Sequence, residues 1–192
     1  MNQKLQKKIS NLENIERFPA SELFEFIHIT KDDNVLDLGA GTGYISLPIA
    51  ERVKHVYAFD YDEDILTYLD NKALERNIIN ISTVAGNFKD IPLENQTIDV
   101  ALASIALHEV QPLAAALKEI HRTLNEKGLF LCIEIEKTET STGPRVSSAD
   151  METEIHAAGF SILDKVFPST KIANQPVYII LAQKNEKTEE IE

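Results

Sequence analysis

The sequence predicts an α/β fold built on a mostly parallel sheet. Between residues 31 and 184, short apolar β runs alternate with amphipathic helical stretches, which is typical of βαβ units. A glycine-rich turn follows the first strand directly and opens a helix. The last two strands leave no room for a crossover helix between them, so we expect an antiparallel pair at the sheet edge.

Seven strands are predicted from apolar and β-branched runs bounded by turn residues: 34–38, 54–59, 80–84, 97–103, 128–135, 160–167 and 177–183. Four helices are predicted between them, at residues 44–52, 62–77, 112–125 and 148–158. Strands that alternate with helices in this way predict a parallel sheet that is buried on both faces.

Helix boundaries are predicted from caps and from apolar spacing. The helix at 62–77 has one apolar face, formed by Ile65, Leu66, Leu69 and Leu74. Asp62 precedes that helix and is predicted as its N-cap. The helix at 148–158 is predicted to take Ser148 as its N-cap and to stop at Gly159.

Composition excludes several classes of function. The 192 residues carry a formal net charge of −12, and a phosphate backbone would repel so acidic a chain, so no nucleic-acid partner is expected. The single cysteine, Cys132, excludes an internal disulfide and a cysteine-rich zinc site, and the five histidines show no ligand spacing, so no metal site is predicted. No apolar run approaches the roughly 20 residues that span a bilayer. We therefore expect a cytoplasmic protein without a membrane partner.

Three zones are predicted along the chain. Residues 1–30 are predicted to form a helical cap over the site, although a helix that merely packs on the core is an equal alternative. This zone offers Arg17 to a carboxylate and supplies the apolar residues Ile15, Phe18, Leu23, Phe24 and Phe26. Residues 31–184 form the ligand-binding domain, and residues 185–192 form a charged tail.

The turn after the first strand gives the main functional signal. Residues 35–44 read Val-Leu-Asp-Leu-Gly-Ala-Gly-Thr-Gly-Tyr. A dinucleotide fingerprint, G-x-G-x-x-G, would place its third glycine at position 44, where this chain has Tyr44. The observed G-x-G-x-G resembles the first motif of class I S-adenosylmethionine-dependent methyltransferases. That resemblance assigns to the cofactor site Asp37, Gly39, Ala40, Gly41 and Gly43.

The end of the second strand carries the next candidate. Asp60 lies 21 residues beyond Gly39, where a carboxylate can accept hydrogen bonds from the two hydroxyls of a ribose. Both NAD sites and S-adenosylmethionine sites have this feature, so Asp60 does not separate them. Tyr61 is predicted to lie beside the adenine, where an aromatic face is useful.

The third and fourth strands end in further candidates. Residues 85–93 resemble the family's G-D-A-x-x-L-P segment, with Asn87 where the family usually has Asp. The resemblance implies that Asn87 contacts the adenine amino group and that Phe88 offers its backbone N–H to the adenine ring. Ser104 stands at the carboxyl end of the fourth strand, the edge where ligands bind in open α/β sheets.

Three titratable side chains are candidates for the chemistry itself. His108 is predicted as the catalytic residue, a base that takes a proton from an attacking oxygen, nitrogen or sulfur; the alternative is that it packs against or caps the next helix. Glu134 and Glu136 end the fifth strand. They either line a pocket for a cation or are solvated strand-end acids, and the second interpretation is favoured.

The resemblance extends over about residues 30–184. It implies a Rossmann-like three-layer sandwich with a seven-stranded sheet whose last strand is antiparallel. It also implies transfer of a methyl group from S-adenosylmethionine to a small-molecule acceptor, which leaves S-adenosylhomocysteine. The branch it resembles includes the ubiquinone and menaquinone biosynthesis methyltransferases. The alternatives are a non-catalytic S-adenosylmethionine-binding protein and a NAD-dependent oxidoreductase, and Tyr44 disfavours the second.

Overall fold

The computed structural model describes residues 3–139 and 141–186, and it confirms the α/β class. The described residues form five helices: α1 (Gln3–Asn14), α2 (Ser46–Ala50), α3 (Glu63–Glu75), α4 (Leu113–Thr123) and α5 (Ser148–Ala157). They also form eight strands: β1 (Asn34–Leu38), β2 (His55–Asp60), β3 (Ile81–Ala85), β4 (Ile98–Ser104), β5 (Leu124–Ile135), β6 (Phe160–Val166), β7 (Lys171–Ile172) and β8 (Gln175–Lys184).

Seven strands form one sheet in the order β3-β2-β1-β4-β5-β8-β6, and the two-residue β7 pairs with β8 outside this path. The pairs within β1–β5 are parallel, whereas β8 runs antiparallel to both β5 and β6. The predicted antiparallel last strand is therefore confirmed. The carboxyl ends of β1, β2, β4 and β5 consequently meet at one edge of the sheet.

The core lies on both faces of the sheet, which makes the molecule three-layered. Neighbouring residues of a strand point to opposite faces, so Val35 and Leu36 belong to different apolar clusters. One cluster lies beneath α4 and α5 and contains Ile120 and Ile155. The other lies beneath α2 and the segment after α1, and it contains Phe18.

The N-terminal zone is less helical than predicted. Helix α1 ends at Asn14, and only a short 3-10 turn at Glu22–Glu25 follows it. Pro19 lacks a backbone N–H and disfavours the helical conformation at Phe18, which explains the interruption. Phe18 and Leu23 are nevertheless buried, so this segment packs through its side chains rather than as a continuous helix.

Two details of the helices differ from the sequence prediction. Leu74 is 68 % exposed, because Ala73, four residues after Leu69, occupies the buried position on α3. The N-cap of α5 is Ser147, whose side chain accepts a hydrogen bond from the amide of Asp150, and Ser148 is the first helical residue. The predicted cap at Asp62 and the stop at Gly159, which has φ of +94°, are confirmed.

Strand β7 is absent from the sequence prediction. Ala173 and Asn174 link it to β8 with φ values of +50° and +60°, the positive values that a tight two-residue hairpin turn requires. The strongest sequence signal for such a turn is Asn-Gly or Asp-Gly, and Ala-Asn does not carry it. The hairpin turn therefore contains no glycine, and the sequence gives no clear signal for it.

Candidate functional site

Backbone hydrogen bonds hold the turn after β1 against β2. The amides of Gly39 and Ala40 both donate to the carbonyl oxygen of Phe59, at 2.8 and 2.9 Å. The amide of Gly41 donates to Oδ2 of Asp60 at 2.9 Å. The turn therefore presents bare backbone at the carboxyl ends of two parallel strands, which is where ligands bind in open α/β sheets.

A cleft of about 190 Å³ opens above this turn. Its lining includes seven of the predicted cofactor residues: Asp37, Gly39, Ala40, Gly41, Asp60, Tyr61 and Ser104. Another wall comes from α1 and the residues that follow it: Lys8, Leu12, Ile15, Glu16 and Arg17. The N-terminal segment thus contributes directly to the cleft.

Two of the turn glycines stand where a side chain would not fit. Gly39 has φ of +77°, and a Cβ there would lie 2.8 Å from Cβ of Ala106. Gly43 has φ of +84°, and a Cβ there would lie 2.0 Å from Cδ1 of Leu69. Gly43 packs beneath the turn against α2 and α3, so it shapes the cleft from below and does not line it.

Asp37 lies at the base of the cleft and is only 2 % exposed. Its Oδ2 accepts a hydrogen bond from the hydroxyl of Ser46, the first residue of α2. Burial raises the pKa of Asp37 from 3.8 to about 6; the bonds with Ser46 oppose this rise, and the neighbouring Asp60 adds to it. Because burial disfavours the ionised form, a cationic ligand at this position would relieve the unfavourable charge.

Asp60 ends β2, and backbone donors fix its carboxylate. Its Oδ2 accepts from the amide of Gly41, and its Oδ1 accepts from the amide of Asp62 at 3.1 Å. A carboxylate oxygen can accept two hydrogen bonds, so each still has capacity for a ligand hydroxyl. The next residue, Tyr61, stands at the rim of the cleft with 70 % of its surface exposed.

Arg17 and Lys8 bring two cations from the N-terminal segment. The Arg17 guanidinium lies over the ring of Tyr44, 5.1 Å from its centroid, and burial lowers the pKa of Arg17. Lys8 forms an ion pair with Asp62 and lies over the ring of Tyr61. These contacts hold α1, through Lys8, and the segment after it, through Arg17, against the residues of the cleft.

Asn87 and Phe88 lie in a second groove beside the cleft. The groove is lined by Tyr61, Asn87, Phe88, Lys89, Glu109, Val110 and Gln111, so Tyr61 borders both cavities. Oδ1 of Asn87 accepts a hydrogen bond from the amide of Lys89 at 2.9 Å, and its NH₂ group remains for a ligand. The Phe88 ring also approaches the glycine turn, since a Cβ at Gly39 would lie 3.8 Å from Cζ of Phe88.

The chain turns sharply after β4. Ser104 and Ile105 line the cleft, and Ile105 has φ of +54°, a strained conformation for a β-branched residue. The amide of Ile105 donates to the carbonyl oxygen of Ile133 at 2.8 Å, which ties this turn to β5. The cleft wall at Ile105 therefore depends on the neighbouring strand.

His108 lies just beyond this turn and is 8 % exposed. Its Nδ1 is 2.8 Å from Oε2 of Glu134, and its Nε2 is 3.9 Å from Oε1 of Glu109. The hydrogen bond with Glu134 raises the pKa of His108, while burial opposes the rise. His108 does not belong to the lining of either cavity, so its catalytic role stays a prediction.

The two acids at the end of β5 are not the solvated side chains that the sequence favours. Glu134 is 1 % exposed, and its Oε1 accepts from the amides of Leu107 at 2.8 Å and His108 at 3.2 Å. Glu136 accepts from the amide of Ser148 at 3.0 Å and so stabilises the start of α5. A signal for the burial of Glu134 was available, because it continues the alternation of Phe130 and Cys132 on one buried face of β5.

The cysteine, possible metal ligands and possible membrane-spanning helices also bear on function. Cys132 is buried, and burial raises the pKa of its thiol. Residues 3–139 and 141–186 contain no group of three or more His, Cys, Asp and Glu side chains that could hold a metal ion. No helix in the same two ranges is long and apolar enough to cross a membrane.

Comparison with known proteins gives consistent matches. A family model described as a methyltransferase domain matches residues 29–188. The chain is 27 % identical over 113 residues to the ubiquinone/menaquinone biosynthesis C-methyltransferase of Rickettsia prowazekii, which covers 55 % of this chain and 46 % of the relative. It is 28 % identical over 116 residues to the demethylmenaquinone methyltransferase of Listeria monocytogenes, which covers 59 % of this chain and 49 % of that protein.

The chain spans about half the length of these curated relatives. Among solved structures, a SAM-dependent methyltransferase from Aquifex aeolicus matches with a TM-score of 0.76 and 20 % identity, over 94 % of this chain and 96 % of that chain. At this identity the likeness establishes the fold. Because the family model covers most of its length, this chain belongs to the methyltransferase-domain family.

Proposed function

We propose that the protein is an S-adenosylmethionine-dependent methyltransferase that acts on a small-molecule acceptor. The observation that carries this proposal is the cleft itself. It combines a bare glycine turn, a buried carboxylate at Asp37 and an oriented carboxylate at Asp60, all at the carboxyl ends of β1 and β2. Family membership and the curated relatives support the same activity.

Each group of the cofactor has a candidate partner in the cleft. Asp60 would accept hydrogen bonds from the ribose hydroxyls, and the glycine turn would admit the ligand close to the backbone. Asp37 would hold the amino group, and Arg17 would hold the carboxylate, because both line the same cleft with opposite charges. Tyr61 would lie beside the adenine, with Asn87 and Phe88 beyond it.

The protein's part in the reaction is alignment and proton acceptance. When bound, S-adenosylmethionine supplies an electrophilic methyl group on its sulfonium. Fixing an acceptor in line with that methyl group can contribute about 7 to 11 kcal/mol to lowering the barrier. Helix α1 would exclude water from above, and His108 would take the acceptor's proton at Nε2 where the acceptor carries one.

A small acceptor fits the organisation of the chain. The described residues between 31 and 184 form the sheet and its covering helices, and they include no inserted segment large enough for a substrate domain. The curated relatives are named for ubiquinone and menaquinone biosynthesis, so a reduced quinone is the first acceptor to test. We further propose that residues 1–30 act as the cap and residues 31–184 as the cofactor-binding domain. Most of the predicted charged tail, residues 187–192, lies outside the described residues.

A non-catalytic S-adenosylmethionine-binding protein is the second candidate. The observation that favours it is the burial of His108, which is 8 % exposed and does not belong to the cleft lining. Binding without turnover of any acceptor would support this alternative. The NAD-dependent alternative has no comparable support, since Tyr44 stands where its third glycine is required.

The proposal is tested by S-adenosylhomocysteine release from S-adenosylmethionine with a panel of acceptors that includes 1,4-dihydroxynaphthalene. We expect release that depends on an acceptor, and Asp60→Ala should lower affinity for S-adenosylmethionine by at least about 100-fold through lost charge-assisted hydrogen bonds. Asp164→Ala, an exposed acid on β6, is the matched control and should leave affinity unchanged. Near-normal affinity in Asp60→Ala would overturn the ribose assignment.

A further inference from the structure

Glu134 is a buried carboxylate at the carboxyl edge of the sheet, and both of its oxygens have hydrogen-bond partners. Its two oxygens have different partners. Oε1 accepts hydrogen bonds from the amides of Leu107 and His108, and Oε2 lies 2.8 Å from Nδ1 of His108. Three hydrogen bonds offset much of the cost of burying a carboxylate that is 1 % exposed. The side chain thus organises the backbone and the imidazole of one short segment, Leu107–Glu109.

This arrangement fixes which nitrogen of His108 carries the proton. An ionised carboxylate can only accept hydrogen bonds, so the Nδ1–H of His108 donates to Glu134. In the neutral imidazole the lone pair is then on Nε2. Because two amides already bind Oε1, the carboxylate cannot turn away from the imidazole without losing them.

The charges around His108 come from three segments. Glu134 lies on β5, Glu109 follows His108 on its own turn, and Arg145 comes from the loop before α5. Glu134 and Glu109 raise the pKa of His108, whereas Arg145 and burial lower it. Glu134 gives the largest of these effects, since it combines a direct hydrogen bond with its charge.

We propose that Glu134 is a positioning residue for methyl transfer, which holds His108 in the tautomer whose Nε2 accepts a proton from the methyl acceptor. This inference rests on the proposed function. In the methyl-transfer step, the acceptor atom would form a bond to the methyl carbon while the sulfur–carbon bond breaks. The electron pair of the broken bond would stay on sulfur. The proton leaves the acceptor for Nε2, which gives the methylated acceptor, S-adenosylhomocysteine and the imidazolium of His108.

Glu134→Gln separates this role from a purely structural one. The amides of Leu107 and His108 would still bind the carboxamide oxygen, and that requirement orients the new NH₂ group toward Nδ1. The NH₂ group can only donate, so Nδ1 must become the acceptor and Nε2 must carry the proton. We therefore expect the fold to be retained, while the nitrogen that should accept a proton would no longer have a lone pair.

The first test is ¹⁵N–¹H NMR of the imidazole, recorded above the pKa of His108 without any acceptor. The wild type is expected to be protonated on Nδ1 and Glu134→Gln on Nε2. Glu136→Gln is the matched control, because Glu136 lies two residues away, just after β5, accepts from the amide of Ser148 and should leave His108 unchanged. A wild-type imidazole protonated on Nε2 would overturn the inference, whether or not the variants fold.

The second test is kinetic, with 1,4-dihydroxynaphthalene as the acceptor probe. Glu134→Gln should lower kcat by about 100-fold or more, the range of a lost general base, with KM for S-adenosylmethionine within about threefold of the wild type. The wild-type rate should rise with pH as His108 deprotonates, and this dependence should disappear in Glu134→Gln. His108→Ala and the double variant should have equal rates, since both changes remove the same base.

The outcomes of the two proposals are distinguishable. If the wild type transfers no methyl group to any acceptor, the proposed function fails, while the NMR result still decides the tautomer. If the wild type is active and Glu134→Gln retains its rate and pH profile, the positioning role is wrong and the methyltransferase proposal stands.

Discussion

The two ends of the candidate site are built in different ways. At the β1–β2 end, backbone hydrogen bonds hold the turn, since the amides of Gly39 and Ala40 both donate to the carbonyl oxygen of Phe59. At the β4–β5 end, one side chain holds a whole turn, since Glu134 binds two amides and an imidazole. The difference shows that the glycines of the first turn depend on residue size, whereas the second turn depends on a single charge. Substitution of a turn glycine should therefore fail by steric clash, and substitution of Glu134 by wrong protonation of His108.

The steric claim has the largest expected effect. Gly43→Ala should lower the free energy of unfolding by about 3 kcal/mol, because its Cβ would lie 2.0 Å from Cδ1 of the buried Leu69 and its φ is +84°. Gly143→Ala is the matched control, since Gly143 has φ of +85° with no atom within 4 Å of a Cβ. It should cost only about 1 kcal/mol, the backbone contribution alone. Urea denaturation of both variants measures the difference, and equal losses would contradict the packing argument.

Substitution of Asp37 tests whether its ionised carboxylate is unfavourable in the ligand-free protein and favourable when a cationic ligand is bound. Burial raises its pKa from 3.8 to about 6, so the ionisation of Asp37 should make an increasingly unfavourable contribution to the stability of the ligand-free protein as pH rises from 3.8 through about 6. Asp37→Asn removes this penalty and should raise the free energy of unfolding at pH 7 by about 3 kcal/mol. The same change should weaken S-adenosylhomocysteine binding at least about tenfold, since it removes the charge facing the amino group.

Thermal unfolding of Asp37→Asn and the wild type at pH 4 and pH 7 provides the check. The gap between the two proteins should be small at pH 4 and should widen by pH 7. A variant that is less stable than the wild type at pH 7 would show that the Asp37 charge is not an unfavourable one.

Arg17 gives a smaller effect that is specific to one part of the ligand. Arg17→Ala should weaken S-adenosylhomocysteine binding by about tenfold, the contribution of one charge-assisted hydrogen bond. Binding of 5′-methylthioadenosine, which lacks the carboxylate, should change by less than about twofold. Arg52→Ala is the matched control, because Arg52 also lies over an aromatic ring, Phe24, but does not line the cleft. Equal losses for both ligands in Arg17→Ala would assign Arg17 to packing rather than to the carboxylate.

The sequence predicts the turn end well because its signals are local. Glycines at fixed spacing, Asp37 within the strand and Asp60 at the next strand end each follow from a few neighbouring residues. The same holds for the order of strands and helices, which apolar periodicity and caps determine. Leu74 and Ser148 were misplaced by one position each, an error that short-range patterns do not resolve.

The geometry of the β4–β5 end could not be predicted from the sequence, because its contacts join residues that are far apart in the chain. His108 and Glu134 are 26 residues apart, and nothing near either of them indicates a hydrogen bond. The positive φ of Ile105 is equally hidden, since a β-branched residue rarely adopts it. Likewise, the contribution of Lys8 to the cleft depends on where α1 packs, whereas Arg17 is already a candidate in the sequence. Tertiary structure alone supplies these features.

Isothermal titration calorimetry of the wild type with S-adenosylmethionine, S-adenosylhomocysteine and NAD, run side by side, tests the central claim most directly. The account predicts micromolar binding of the first two ligands and no binding of NAD. Binding of NAD, or no binding of any of the three by a folded sample, would contradict it.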